Sequence, residues 1–376
     1  MVLDFVPLYE YTHYFHLAVL MLVLLLVWQC HHGSVLRRDV ANLNAMLGLV
    51  VAFLLVAYIG MRPVNAEFGD TTTYASQFKA LALGKSIGEM GSDWLFYGTM
   101  HFFAHQGSVN DFFLLCAFIY VGAAWMAMVR IFKVYYYIPF IVLLSMFFFW
   151  SYGVNGVRNG VAASLVLLAI SYVNKWPVML IIGAMAVSVH QSFYMLVGAG
   201  LLAWFFKNSY VYLVMWVACV AVSYAAGFAI QNAMAALPFF SGADSRFLAY
   251  MTYSQSQMAS EGVFVSTSFR WDFVAFSGIA VAVGYYFIFR RGFKDEFYHW
   301  IYNTYLATNA FWILIIRAAY SNRFAQISWF IMPLVLIYPF MRQRFWQNQE
   351  KMLAYAILFF YLYTFYSNNP LNLPFL

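Results

Sequence analysis

Charge is sparse in this 376-residue chain: 9% of it is Asp, Glu, Lys or Arg, against about 25% in a soluble globular domain. So little charge cannot cover a water-facing surface, which excludes the pair of soluble domains that the length would allow. Cysteine is scarcer still. Cys30, Cys116 and Cys219 lie in or at the end of apolar segments, and this odd, scattered set offers no disulfide framework, no CxxC pair and no zinc spacing. The sequence also lacks GxSxG, Walker and GxGxxG patterns, internal repeats and low-complexity tracts. No Lys or Arg precedes the first apolar run, Tyr14 to Trp28, and no small-residue cleavage site follows it, so it reads as a retained span rather than a signal peptide.

Apolar and aromatic residues fill the space left by charge. Hydrophobic residues make up 64%, including 40 Phe, 29 Tyr and 12 Trp, a composition suited to a protein with two membrane interfaces to line. A spanning helix needs about 20 mainly apolar residues. Breaking the chain at its polar punctuation gives about twelve candidates (10–14), centred near Leu20, Val51, Phe118, Leu143, Leu167, Ala184, Ala199, Ala218, Ile279, Leu306, Met332 and Phe359. The expected fold is an all-α polytopic membrane protein, with residues 1–376 forming a single integral membrane domain.

Charge also orients it. Alternate loops carry Arg37 and Arg38, Arg130 and Lys133, Lys175, Lys207, then Arg290, Arg291 and Lys294, and Arg342, Arg344 and Lys351. The positive-inside rule places these in the cytoplasm and both termini outside. The net charge of +6 is then an orientation signal and calls for no nucleic acid. Two outer segments are too long to be turns and are expected as extracytoplasmic loops. Residues 61–110 include an aromatic stretch, Trp94 to His105, too short to span and expected as an interfacial or re-entrant helix. Residues 231–270 are rich in Ser, Gln, Tyr and Met.

The outer face, which the insertion rule makes poor in positive charge, nevertheless carries six arginines. An arginine at a helix end can simply lay its stem on lipid and its head in water. Position argues otherwise for four of them. Arg158 sits in the polar, glycine-flanked patch Asn155 to Gly160, 17 residues before Lys175, and His190 lies 15 residues after it, so a helical hairpin brings both to a similar depth. Arg317 and Arg323 flank the tight turn Ala318 to Asn322, and Arg246 comes from the second long loop. A guanidinium is a planar fork matched to phosphate oxygens and charged at any working pH. Several on one face suggest a lipid diphosphate as ligand. Asp70, Glu89 and Asp93 all come from the first loop, and a sugar hydroxyl attacking an anomeric carbon needs a base. Asp70, Glu89 and His190 are the candidates, although Asp70 and Glu89 could instead pair with Arg62, Lys79 or Lys85 to hold the loop. His101 and His105 share one helix face, but no HExxH or third ligand accompanies them, so no metal site is expected. Asp272, opening a span after Arg270, is expected as an interface cap.

These features in order resemble the EpsG-like branch of the Wzy-type polysaccharide polymerases. They are Arg62 followed by Gly69-Asp70 and Tyr74, Glu89 before an aromatic stretch, Asn155 to Ala162 around Arg158, His190-Gln191-Ser192, Arg246 ahead of Tyr250, and Asn322-Arg323-Phe324. The pattern departs in two places: Asn159 follows the arginine where the family often has Gln, and no proline follows Glu89. The resemblance implies a GT-C-like fold related to O-antigen ligases. It implies an enzyme of the bacterial cytoplasmic membrane whose site faces the periplasm or outside. A glycan would pass from undecaprenyl diphosphate to a second lipid-linked oligosaccharide in O-antigen, capsule or exopolysaccharide synthesis. Arg158, Arg246, Arg317 and Arg323 would hold the diphosphate, with no cofactor or nucleotide sugar. Expected partners are the undecaprenyl-diphosphate-linked donor and acceptor, membrane lipids, a Wzz-like chain-length regulator and a flippase. A lipid-linked oligosaccharide flippase or other transporter is the alternative outside the enzyme class, although paired halves and mid-span charges are lacking. Ligation to another acceptor is the alternative within it, and a membrane O-acyltransferase fits less well.

Overall fold

Backbone N–H and C=O groups in hydrocarbon must satisfy one another, which leaves long apolar runs little choice but helix. The computed structural model describes residues 2–236 and 268–368, and every regular element among them is helical. In chain order these are α1 (Tyr11–His32), α2 (Arg38–Gly60), α3 (Thr71–Ala82), α4 (Trp94–Gln106), α5 (Val109–Phe132), α6 (Tyr137–Leu144), α7 (Phe147–Val154) and α8 (Val157–Ile170). There follow α9 (Trp176–Val189), α10 (Tyr194–Phe205), α11 (Ser209–Ala235), α12 (Trp271–Tyr285), α13 (Glu296–Leu314), α14 (Ser321–Trp329), α15 (Met332–Arg342) and α16 (Gln349–Asn368).

Each apolar segment centre read from the sequence falls on one of these helices. By length and composition, six helical segments can cross a membrane: Leu8–His32, Arg38–Gly60, Val109–Tyr135, Ser209–Ala235, Trp271–Arg290 and Ser321–Arg342. A seventh is the pair α6 and α7, bent by 74° at its break, and α8, α9 and α10 are apolar but shorter. The 19-residue α13 is long enough, yet it carries Asn303, Thr304, Thr308 and Asn309, all buried.

Local chemistry sets several boundaries. Ser108 and Asp111 form a reciprocal cap that opens α5, and Pro177 sits in the first turn of α9, where no intrahelical N–H is needed. After α7 the Asn155 and Gly156 N–H groups both donate to the Ser151 carbonyl at 2.8 and 2.9 Å, which closes that helix and lets α8 start afresh at Val157.

The chain divides into two compact units, Met1–His190 with Phe340–Leu376, and Gln191–Pro339. In the first, α1 packs on α16, α2 on α5, α5 on α8, and α8 on α9, while α4 lies against α3, α5 and α9. In lipid, helix association depends on close packing more than on apolar burial, and small residues permit it. The facing helices α5 and α8 accordingly bury Ala117, Ala123, Ala124 and Ala127 on one side and Gly160, Ala162, Ala163 and Ser164 on the other. At Gly160 the fit is tightest: a Cβ there would lie 2.5 Å from the Tyr152 carbonyl oxygen, a backbone atom that cannot swing away. Gly160→Ala should therefore cost about 1–3 kcal/mol through overpacking, read as a lower unfolding temperature in detergent. Gly122→Ala on α5, where a Cβ meets nothing within 4 Å, should be neutral or stabilising.

The second unit is built on α13, which packs on α10, α11, α12 and α14. Its centre is polar. Asn309 Nδ2 donates to the hydroxyls of Ser277 (3.0 Å) and Ser328 (2.9 Å), and its Oδ1 accepts from Trp216 Nε1 at 2.8 Å. Trp329 Nε1 completes the set by donating to Ser277 at 2.7 Å. Four helices are thus tied by hydrogen bonds between buried side chains.

Candidate functional site

The densest charged cluster of the first unit gathers at three helix ends. Arg158 lies in the first turn of α8, where the positive end of the helix dipole works against a cation. A carboxylate answers it. Asp93, directly before α4, places Oδ2 2.7 Å from Arg158 Nη1, and the same oxygen lies 3.1 Å from Nδ1 of His190, the residue that ends α9. The Asp93 side chain is 1% exposed, that of Arg158 12% and that of His190 16%. Tyr97, one turn into α4, accepts a second hydrogen bond from Arg158 Nη1 at 3.0 Å. The guanidinium also lies within 5.6 Å of the Tyr97 ring centre and 5.9 Å of that of Phe96. Arg158 Nε is buried without a hydrogen-bond partner among the described residues.

A second arginine holds the scaffold. Arg62, just past the end of α2, is 1% exposed and meets no carboxylate among the described residues. Its Nη1 donates to the Ile59 carbonyl at 2.7 Å, and its Nη2 to Thr71 Oγ1 at 3.0 Å and the Val154 carbonyl at 3.1 Å. It stacks over Phe113 at 4.7 Å. Burial pushes its guanidinium down to about 10. Thr71 donates to the same Val154 carbonyl at 2.8 Å, and the Asp70 N–H donates to Asn155 Oδ1 at 2.9 Å. This last contact demands Gly69, whose φ of +60° suits glycine and whose Cβ, if present, would fall 2.4 Å from Asn155 Oδ1. Arg62, Gly69, Thr71 and Asn155 together fasten the first long loop to the segment that carries Arg158.

The other sequence-derived candidates have partners of their own. Asp70 is half-buried and opens α3. Glu89 is exposed and forms a reciprocal cap with Ser86, whose N–H and hydroxyl donate to its Oε1 at 3.1 and 2.9 Å and hold the carboxyl below its ordinary range. In the second unit, Arg317 packs over Phe228 at 4.9 Å and Phe269 at 5.7 Å, with its Nε buried and unbonded among the described residues. It lies against Gly227, beside the non-helical Ala226 that kinks α11. Arg323 lies over Tyr320 at 5.2 Å, and Tyr320 takes a left-handed conformation (φ 54°) to start α14. Arg246 and most of the 231–270 loop lie outside the described residues. The His101 and His105 rings lie 4.4 Å apart, tilted by 39°, and His105 Nδ1 pairs with the His101 carbonyl. No three His, Cys, Asp or Glu side chains gather for a metal among the described residues. The Arg270–Asp272 pair is an exposed contact at 2.5 Å. Arg158 and His190 therefore meet through Asp93, a carboxylate that the sequence placed in the same loop as Asp70 and Glu89 without a signal to prefer it.

With six or seven apolar helices long enough to cross a bilayer, the molecule is a multi-pass membrane protein. Its sequence matches the EpsG family over residues 45–374, and the chain belongs to that family. Membership gives it the general role of a polysaccharide polymerase, a glycosyltransferase-like enzyme. No curated protein and no solved structure matches the chain significantly.

Proposed function

We propose that this protein lengthens a polysaccharide at the outer face of a bacterial cytoplasmic membrane, moving a glycan from undecaprenyl diphosphate onto a lipid-linked repeat unit. About twelve spans in a GT-C-like arrangement would carry the site. The observation that supports the chemistry is the sheltered cluster of Arg158, Asp93 and His190, which sets a permanent cation beside an imidazole. Arg158 binds the donor diphosphate and stabilises the charge that grows on it as the bond to the anomeric carbon breaks. The acceptor hydroxyl oxygen forms the new bond to that carbon, and its proton passes to His190. The bond electrons leave with the diphosphate, so charge and protons balance without a cofactor. Of the three sequence-derived base candidates, His190 takes this role because it stands beside Arg158, whereas Glu89 is engaged with Ser86. Arg246, Arg317 and Arg323 are assigned further contacts to the anionic substrate, each to be tested by its own substitution.

The deciding experiment supplies purified protein in liposomes with lipid-linked repeat units and sizes the products. Polymerisation predicts a ladder of longer lipid-linked glycans and release of undecaprenyl diphosphate in equal number to the bonds made. Movement of units across the bilayer without new glycosidic bonds would instead mark a flippase, and transfer only to a different acceptor would mark a ligase.

A further inference from the structure

We infer that Asp93 is the positioning residue for His190, fixing the imidazole with its hydrogen on Nδ1 and its lone pair on Nε2. The inference rests on the roles given above to Arg158 and His190. A carboxylate buried to 1% exposure is tolerated as an ion only when a cation and hydrogen bonds compensate it, and Arg158 does so at 2.7 Å. An ionised carboxylate has no hydrogen to give. The 3.1 Å contact between Asp93 Oδ2 and His190 Nδ1 is therefore made by an Nδ1–H donor, and the neutral ring carries its basic lone pair on the other nitrogen. The bland role for an aspartate directly before a helix is to cap it through its side chain. Asp93 does not do this for α4; its carboxylate is turned instead to residues 65 and 97 positions away in sequence. One oxygen serves both, so Arg158 keeps Asp93 ionised and Asp93 keeps His190 in one tautomer. The proton-accepting group is thereby coupled to the cation that receives the diphosphate.

The test compares Asp93→Asn and Asp93→Glu with the parent protein, measuring kcat and KM for lipid-linked units and the tautomer of His190 by nitrogen NMR on histidine-labelled protein, assigned with His190→Gln. An asparagine amide can donate to Nδ1 and so favour the hydrogen on Nε2. Asp93→Asn is expected to lower kcat about a hundredfold with KM changed less than about threefold, and to shift His190 away from the Nδ1–H form. Asp93→Glu, which restores the charge, should recover part of both. A kcat within threefold of the parent, or a His190 that keeps the Nδ1–H form while kcat falls, overturns the inference. If Arg158→Ala and His190→Gln both polymerise normally, the functional reading itself falls. If they are inactive while Asp93→Asn is not, only the role of Asp93 is lost.

Discussion

Arg158→Ala is expected to abolish chain growth, lowering the rate by about 10²–10³-fold, when purified protein is supplied with lipid-linked units and the products are sized. One complication has a physical remedy. Truncating Arg158 strands the buried Asp93 carboxylate, and breaking a buried pair in this way costs about 3–5 kcal/mol, so the single variant could lose activity simply by unfolding. The double variant Arg158→Ala with Asp93→Asn removes the stranded charge. It should regain most of the thermal stability and none of the polymerisation. Arg158→Lys supplies a related check, because a point charge keeps the ion pair with Asp93 but cannot present a planar fork to phosphate. It should fold and grow chains at well under a tenth of the parent rate. A double variant that polymerises normally would remove Arg158 from the chemistry.

Arg62→Met should have the opposite signature, a large loss of stability whose effect on activity follows from it. Two terms compete. Methionine relieves the desolvation that pushes the guanidinium down to about 10, and replacing a buried ion by an apolar side chain can be neutral. Against this, among the described residues the Ile59 carbonyl loses its side-chain donor and the Val154 carbonyl keeps only Thr71 as one, and the guanidinium leaves a void against Phe113. Stranded buried acceptors cost about 1–3 kcal/mol each. With no carboxylate to be left unpaired, the net loss should be about 3 kcal/mol, measured as a lowered unfolding temperature in detergent. Arg62→Lys should fall between, since one ammonium cannot span the three acceptors that Arg62 reaches. An unchanged unfolding temperature in Arg62→Met would show that the arginine does not fasten the loop.

The sequence displays what is local. Helix centres could be placed because hydropathy and length are properties of one stretch of chain, and Arg158 and His190 could be set at similar depth by counting either side of Lys175. The Ser86-x-x-Glu89 spacing is the pattern of a reciprocal cap, a local signal that the choice of Glu89 as a base candidate did not use. Asp93 was different: its partners lie 65 and 97 residues away, and nothing beside it in sequence separates it from Asp70 or Glu89. The break between α6 and α7 was likewise hidden. It falls at Ser145 and Met146, with no glycine or proline at the bend. Arg62 read as a loop partner for carboxylates, but three acceptors from separate segments claim it, and only the folded chain brings them together.

The shared carbonyl of Val154 has a dynamic consequence. Thr71 and Arg62 both bind it, and the next residue, Asn155, receives the Asp70 N–H, so neither the 62–71 stretch nor the 154–158 stretch can fray without breaking the bonds of the other. Such segments detach as one cooperative unit with a common free energy. Amide exchange at Asp70 and at the start of α8 would then run at matched rates, and the guanidinium at 158 would lose its seat only in molecules whose loop had already lifted away.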